Sequence, residues 1–496
     1  MPKKVGNVSP LTSKQQSIKK RAEKNQLTIS EVLLKLSDDA RSYFVTESEE
    51  VFATIPINKI NQTVDISSST FKQWLRNQYY IIFKKPVSNS HIQEVIDTIC
   101  AREVMGSKAK KKIHFRICEE KGKLFIDLIN DNQDVIEISE SGWNMKRQQE
   151  LNIHFERPNT SNSIQKPIGN GDLSKLRKYI PLEENDYKLV LSFIIGCFMP
   201  DGPYPILILQ GSQGSGKSTL SKIIKSIVDP SVVMAQSPPK KEKDLFVAAS
   251  YNHLLVFDNL SGIDSRMSDA LCKLSTGIAM VSKKLFTDKD QATMTAKKPL
   301  ILNGIDYIAK RSDLADRSII INLPKMSSES VQAEKDLWKN FYNDLPDILG
   351  GICDVLSVIL RDYNSIKLEK NSRMADFVKW VTAAESWLGY GEGEFIKCYE
   401  ANKSDAALES LEQNLLAYSI YELVKSNNKL RGNSTSILKQ LRDKLKTLGI
   451  EPKENWIAAN KLKDSITRVE PILNRLDIYY EYKRGKERTH ILYKKS

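Results

Sequence analysis

Eight consecutive residues, Gly211-Ser212-Gln213-Gly214-Ser215-Gly216-Lys217-Ser218, follow the pattern GxxxxGK[ST]. Glycines at these places let the backbone bend until several N–H groups converge, and converging amide dipoles bind an anion. A lysine followed by a hydroxyl residue adds a positive charge for the β/γ phosphates and an oxygen ligand for Mg2+. The chemistry indicated is that of a nucleoside triphosphate, ATP foremost. About 40 residues further on, His253-Leu254-Leu255-Val256-Phe257-Asp258 is an apolar run closed by an acid, which places Asp258 to share the magnesium ion with Ser218. Asn259 stands where a glutamate would polarise an attacking water. An amide cannot accept a proton, although it can orient a water. Either hydrolysis is slow or another acid contributes, with Asp264 and Asp269 as candidates.

These residues need elements to hold them. Pro205 to Leu209 reads as a buried strand running into the glycine-rich loop. From Thr219, itself counted with the loop, a helix follows with Leu220, Ile223, Ile224, Ile227 and Val228 on one face. Further strands are predicted at Val232–Ala235, Leu254–Phe257, Leu300–Leu302 and Ile319–Leu323. Alternation with helices makes the fold α/β with a mainly parallel sheet. Asn303 closes the Leu300–Leu302 strand, where an amide could sense a γ-phosphate. Arg317, in Asp313-Leu314-Ala315-Asp316-Arg317-Ser318, is placed to reach a neighbouring subunit's nucleotide, with Arg311 in reserve. The plainer reading of Arg317 is a salt bridge to Asp313 or Asp316.

The order of these motifs resembles superfamily 3 and related AAA+ helicases. More narrowly it resembles the ATPases of phages and integrating genetic elements, near primase-helicases and island replication initiators. The likeness runs through Phe52-Ala53-Thr54-Ile55-Pro56, the 211–218 loop, Phe257 to Ser261, Ser268 to Cys272, Leu285 to Asp288, Ile301 to Ile305, Asp313 to Ser318 and Arg373 to Phe377. It implies a P-loop AAA+/superfamily 3-like core in a homo-oligomeric ring, a hexamer, with ATP between subunits and single-stranded DNA in the pore. A hairpin before the sensor strand would grip that DNA through Lys283, Lys284, Phe286 and Lys289. The implied function is that of an ATP-dependent DNA helicase or motor in the replication of a mobile element. A primase or polymerase of the same element would be a further partner. The alternatives are an ATPase that loads or remodels a replication protein, and an ATP-switched DNA-binding regulator. No primase motif is visible.

The remaining residues bound the setting. A chain of 496 residues exceeds one hydrophobic core, and its net charge of +13 favours a polyanionic partner. The longest apolar run, Leu189 to Met199, is about half of the roughly 20 residues a membrane span needs. Six scattered cysteines and the absence of an apolar leader suit a cytoplasmic protein with reduced thiols, without a membrane partner. Predicted boundaries are a basic tail (1–28), an N-terminal α+β domain (29–156), a Pro/Gly/Asn-rich linker (157–171), the ATPase domain (172–329), a helical region (330–420) and a basic module (421–496). Asp127 and Asp131, four apart beside a turn, read as surface acids. Tyr421–Ser496 carries eighteen Lys/Arg against nine Asp/Glu. Its pattern of two helices and a hairpin reads as a winged helix. Lys461, Lys463 and Arg468 would face duplex DNA, and Arg484 and Lys486 would lie on the wing.

Overall fold

The computed structural model describes residues 11–57, 60–106, 110–277, 280–283, 291–294, 297–305, 307–309, 311–325, 333–368, 373–412, 414–452, 456–484 and 488–495. They divide into two compact units. One comprises residues 1–137, 144–164 and 281–293, and the other comprises the rest. Sheets are both parallel and antiparallel, with helices throughout. Among the described residues, no helix is long and apolar enough to cross a membrane.

The first unit begins with α1 (Ser13–Glu23) and α2 (Ile29–Ser37). The basic tail, a loose tail or a short helix by its sequence, is helical at residues 13–23. Thr12 and Gln15 form a capping box at the start of α1, and Ile18 is buried in the same core as α2. An antiparallel sheet follows, of β1 (Ser42–Val45), β2 (Val51–Ile57) and β3 (Ile60–Asp65). α3 (Ser69–Phe83) and α4 (Asn89–Gly106) share its core. Neither this sheet nor α4 is among the predicted elements, although Ile92, Val95, Ile96 and Ile99 repeat at helical spacing and are buried. β4 (Ile113–His114) pairs in parallel with β9 (His154–Phe155). β5 (Ile117–Glu120), β6 (Lys123–Asp127), β7 (Asp134–Ser139) and β8 (Gly142–Arg147) make a four-stranded sheet. Asp127 is not a surface acid. It is fully buried, and both its oxygens accept from Arg157 at 2.7 Å. A buried carboxylate needs such a partner, so its role is structural. Asp131 is exposed, as expected.

The second unit opens with α5 (Glu184–Gly196) and then alternates: β10 (Ile206–Gln210), α6 (Lys217–Val228), α7 (Glu242–Ser250), β11 (Leu255–Leu260), α8 (Ser265–Thr276), β14 (Leu300–Gly304), α9 (Ser312–Ala315) and β15 (Ser318–Asn322), while β12 (Met280–Lys283) and β13 (Gln291–Met294), which fall almost wholly in the first unit, pair with each other. The central sheet has the order β11-β14-β10-β15, and all its pairs are parallel. Its strands are apolar on both faces because helices cover both. The predicted strand at Val232–Ala235 does not form. Pro230 and Pro238 bracket this run, Val232 and Val233 are 66% and 52% exposed, and Gln236, just beyond it, makes an isolated bridge to Phe257. Apolar composition alone had suggested a strand there.

At the end of the sheet away from the loop, a buried ion pair ties α6 to β11. Lys225 Nζ donates to Asp229 Oδ2 at 2.8 Å, Leu254 O at 2.6 Å and Asn252 Oδ1 at 3.1 Å. Asp229 in turn accepts from the backbone N–H groups of His253 and Leu254. The helix that starts at Lys217 and the strand that carries Asp258 are therefore joined at their far ends.

After the sheet come α10 (Glu334–Asp362), α11 (Ala375–Thr382) and α12 (Glu394–Glu412). The C-terminal module is α13 (Leu415–Asn427), β16 (Lys429–Gly432), α14 (Ser434–Thr447), α15 (Leu462–Arg475), β17 (Ile478–Lys483) and β18 (Thr489–Lys494). Its antiparallel sheet has the order β16-β18-β17. Trp456 precedes α15 and packs against the module's core.

The expected linker is anchored rather than loose. Ile164 N donates to Leu128 O at 2.9 Å within the first unit. In the second unit Ile168 N donates to Pro346 O at 3.1 Å, and Gly171 lies against Gly350 and Gly351 of α10. A Cβ on Gly350 would overlap the carbonyl oxygen of Ile168. Gly350→Ala should therefore destabilise the second unit by about 1–3 kcal/mol in chemical denaturation. Gly106→Ala, where a Cβ meets nothing within 4 Å, should not.

Candidate functional site

Three strands of the central sheet end at one level. Gln210 of β10 is paired with Gly304 of β14 and with Asn322 of β15. The glycine-rich loop leaves this edge with Gly211, Gly214 and Gly216 at φ of 146°, 80° and 83°, backbone that L side chains rarely adopt. Gly211 has a second constraint, since a Cβ there would overlap the Leu323 carbonyl oxygen. Gly216 is the N-cap of α6, so Lys217, Ser218 and Thr219 form the first turn, whose N–H groups lack helical partners. Ser212, Gln213 and Gly214 are exposed, and Ser215 is buried. Lys217 Nζ folds back over the loop and donates to Gly211 O at 2.7 Å, Ser212 O at 2.8 Å and Ser215 Oγ at 3.2 Å. Burial holds the Lys217 pKa below the usual lysine value, against an opposing pull from the Asp258 carboxylate.

Asp258 and Asn303 come together across the β11–β14 pair. Asn303 is fully buried, and its Nδ2 donates to Ser221 Oγ at 2.7 Å and to Asp258 Oδ1 at 3.2 Å. This orientation of the amide is the one that the neighbouring carboxylate requires, because an oxygen there would be repelled. Ser221 Oγ donates to Lys217 O at 2.7 Å. A chain of hydrogen bonds thus runs from the acid through the amide to the first turn of α6. Asn303 Oδ1 is buried without a hydrogen-bond partner.

Asn259 has a backbone reason to be asparagine. The β11–β14 register shifts between Phe257 and Leu260, and Asn259 sits in that bulge at φ 60° with its side chain exposed. Asparagine tolerates the left-handed region better than most non-glycine residues, glutamate among them. The two alternative acids are engaged elsewhere. Asp264 caps α8 through Met267 N at 2.8 Å, and Asp269 pairs with Arg311 at 2.8 Å. An open cleft of about 810 Å3 adjoins Asp258 and Asn259, lined in part by Lys222, Val232, Val233, Trp338 and Tyr342.

Arg317 is held within its own chain by an i,i+4 ion pair with Asp313, and it also donates to Asp313 O at 2.9 Å. Arg373 donates to Asp313 Oδ1 at 2.9 Å, and Arg475, the last residue of α15, pairs with Asp316 at 2.7 Å. Burial raises the Asp313 pKa, but Arg317 and Arg373 outweigh it and hold the carboxyl below its usual range. For Asp316, burial prevails over Arg475 and Arg373 and the pKa is raised.

Other residues at this edge carried no sequence signal. Gln210 Nε2 donates to Asn322 Oδ1 at 3.0 Å, Ile308 N donates to Gln210 Oε1 at 3.2 Å, and Asn322 Nδ2 reaches Glu409 of α12 at 2.9 Å. Asn402 of α12 serves the edge strand β15, accepting from Ile320 N at 3.0 Å and donating to Ile320 O at 2.6 Å. Only the residue preceding Gly211 could have been suspected, from its place next to the loop.

Of the expected DNA contacts, Lys284, Phe286, Lys289 and Lys486 lie outside the described residues, as does the side chain of Lys283 at the end of β12. Lys461, Arg468 and Arg484 are exposed. Lys463 is half-buried, with its ammonium 4.9 Å from the centre of the Tyr482 ring.

Residues 175–405 match the family model "Actinomycete integrative conjugative element replication protein". The match covers just under half of the chain. No curated protein sequence matches. Among solved structures, the SCCmec type IV Cch helicase aligns at 11% identity over 92% of both chains, with a TM-score of 0.44. The NrS-1 C-terminal region aligns at 12% identity over 94% of this chain and 99% of that one, with a TM-score of 0.39. The JCV helicase aligns at 13% identity over 47% of this chain and 70% of its own, with a TM-score of 0.22. These structural likenesses are too distant to carry an argument.

The bulge makes a stability prediction. Asn259→Gly should be close to neutral, whereas Asn259→Glu should cost about 1–2 kcal/mol in chemical denaturation. Equal stability of the two variants would mean that residue 259 is not held left-handed.

Proposed function

We propose that this chain is an ATP-dependent DNA motor, a helicase in the replication of a mobile genetic element. The observation that carries the reading is the hydrogen-bonded chain Asp258–Asn303–Ser221–Lys217 beside the glycine-rich loop. It joins, at one edge of a parallel sheet, the residue types that bind a triphosphate and respond to its last phosphate. Residues 211–219 form the P-loop. Its backbone amides cradle phosphate oxygens, and Lys217 exchanges its loop carbonyls for the β/γ phosphates. The donor set suits magnesium, with Ser218 and Asp258 to hold it, and bound Mg2+ would neutralise phosphate charge. Asn303 orients Asp258 through its Nδ2, and among the described residues its buried Oδ1 has no partner. The family match over residues 175–405 supports a replication role in an integrating element.

The ring, a hexamer with ATP between subunits, follows from the need for an arginine in trans. Arg317 fills that role once assembly draws it away from Asp313, and Arg311 is the reserve. Single-stranded DNA meets Lys283, Lys284, Phe286 and Lys289. The C-terminal module is a winged helix, since its helix-strand-helix-helix-hairpin order and three-stranded sheet suit one. Lys461, Lys463, Arg468, Arg484 and Lys486 are its duplex contacts. A primase or polymerase of the same element is the expected protein partner, which also suits a loader.

Asn259 favours a second reading. With an exposed amide in place of a glutamate, ATP binding rather than rapid turnover could set DNA affinity, as in a switch. Turnover with and without single-stranded DNA, together with strand displacement, separates these readings. The motor requires DNA-stimulated hydrolysis with displacement. ATP-dependent DNA affinity with negligible turnover would replace it with the switch, and stimulation by a partner protein alone would replace it with a loader.

Lys217→Ala should abolish hydrolysis with the fold intact. Asn303→Ala should lower turnover on the order of 10²-fold while nucleotide affinity stays within a few-fold, because the lost contact matters most as charge develops. In mixtures with wild-type chains, Arg317→Ala should reduce activity more steeply than its share of subunits. A strictly proportional loss would argue against a shared site.

A further inference from the structure

The nucleotide chemistry gives the first unit no task, yet α3 has a distinctive outer face. Its inner face buries Phe71, Trp74, Leu75, Tyr79 and Ile82 in the unit's core. Its outer face presents Lys72, Arg76 and Tyr80 four residues apart, and Lys84 follows as the C-cap. Residues at that spacing lie in one row, about 6 Å apart along the helix. From Ile66 to Gln93 there is no aspartate or glutamate, and the charged residues are Lys72, Arg76, Lys84 and Lys85. An ordinary solvated helix face mixes the two signs.

Tyr80 is 54% exposed, whereas its neighbour Tyr79 is 7% exposed and stacks on Phe83 with centroids 4.6 Å apart. The core therefore takes one tyrosine of the pair and leaves the other outside. Lys84, at φ 54°, brings its ammonium to 5.4 Å from the Tyr80 ring centre. Arg76 donates to Asn89 Oδ1, which fixes its guanidinium. A cleft of about 310 Å3 lies against the ring, lined by Arg76, Asn77, Tyr80, Lys85, Pro86 and Val87. Its size is at the lower end of ligand pockets, ~300–1,000 Å3.

We propose that this row is a binding site for single-stranded nucleic acid. A base stacks on Tyr80, neighbouring phosphates meet Lys72, Arg76 and Lys85, and the Asn77 amide stands beside the base edge. An exposed ring among cations is the combination by which proteins hold unpaired strands, since every base offers a π-face. A duplex offers the ring no free base to stack on. An anionic membrane fits less well, because Gln73 and Asn77 lie where an interfacial helix would carry apolar residues. The site is separate from the 211–219 loop, so it stands or falls independently of ATP binding.

The test uses the full chain without nucleotide and a fluorescent oligo(dT), read by anisotropy. It is repeated in a background with Lys283→Glu/Lys284→Glu/Lys289→Glu and Lys463→Glu/Arg468→Glu/Arg484→Glu, which removes the other proposed DNA contacts. Tyr80→Ala should weaken binding by roughly 5- to 100-fold, the range typical of losing one stacked base. Tyr80→Phe should stay within about two-fold, since it keeps the ring. The variant Lys72→Glu/Arg76→Glu/Lys85→Glu should lower the slope of log affinity against log salt by about 2. An oligonucleotide carrying 5-iodouracil should crosslink to Tyr80. Tyr80 and Lys85 are exposed and Lys72 and Arg76 are half-buried, so Tyr80→Ala should keep the wild-type unfolding midpoint, while the triple variant, which loses the Arg76–Asn89 bond, should lower it slightly. Unchanged affinity of Tyr80→Ala in the silenced background, with no crosslink at Tyr80, would overturn the proposal. So would charge reversal that abolishes binding to phosphatidylserine vesicles while leaving oligo(dT) affinity intact, which would reassign the row to an anionic surface.

Discussion

Asn303 has two amide protons, and it sends one to Asp258 and the other to Ser221. Because the side chain is fully buried, neither bond can be exchanged for water without cost, and the three residues behave as one unit. That constraint sets the distance between the end of β11 and the first turn of α6. The parallel register of β10, β14 and β11 brings the two ends near each other, and the amide holds them there. The buried Lys225–Asp229 pair does the same at the other end of the same two elements. Helix and strand are thus pinned twice, and the loop between β10 and α6 is free to be shaped by its three left-handed glycines.

The contrast between α6 and the segment after it is instructive. α6 and the 232–236 run are both rich in apolar residues, but α6 repeats them at helical spacing and the run does not alternate. Pattern rather than composition determined which of them became a regular element. The exposed valines of the second line the cleft beside Asp258 instead of entering the core.

What was legible in the sequence was local. The glycine-rich loop, the acid at the end of an apolar strand and the amide at the end of the next are short patterns, and the structure brings Lys217, Asp258 and Asn303 to one edge of the sheet. The apolar residues Ile437, Leu438, Leu441, Leu445 and Leu448 likewise recur at helical spacing, and the first four are the buried face of α14. What was not legible depended on distance along the chain. Ser221 and Asn303 are 82 residues apart, and Asn322 and Glu409 are 87 apart. No local pattern announces such partners. Asp127 was misjudged for the same reason, since its cation, Arg157, is 30 residues away. The 157–171 stretch has the composition of a flexible connector, yet Gly171 lies where a helix backbone presses against it. Asn259 was read as a chemical deficit, and its φ of 60° supplies a conformational cause that no sequence pattern could reveal.

The pairing of Arg475 with Asp316 makes the C-terminal module a neighbour, in charge terms, of the segment that carries Arg317. Asp316 is largely withdrawn from solvent, and Arg373, at 3.8 Å, and Lys403 would be left to balance it if α15 were gone. Cutting the chain before residue 462 therefore does more than remove a basic surface. It strips a counter-ion from a carboxylate next to Arg317, so a truncated protein that lost hydrolysis would not thereby reveal a requirement for duplex contacts. Point changes on the exposed face of α15, which leave Arg475 in place, keep the two effects apart.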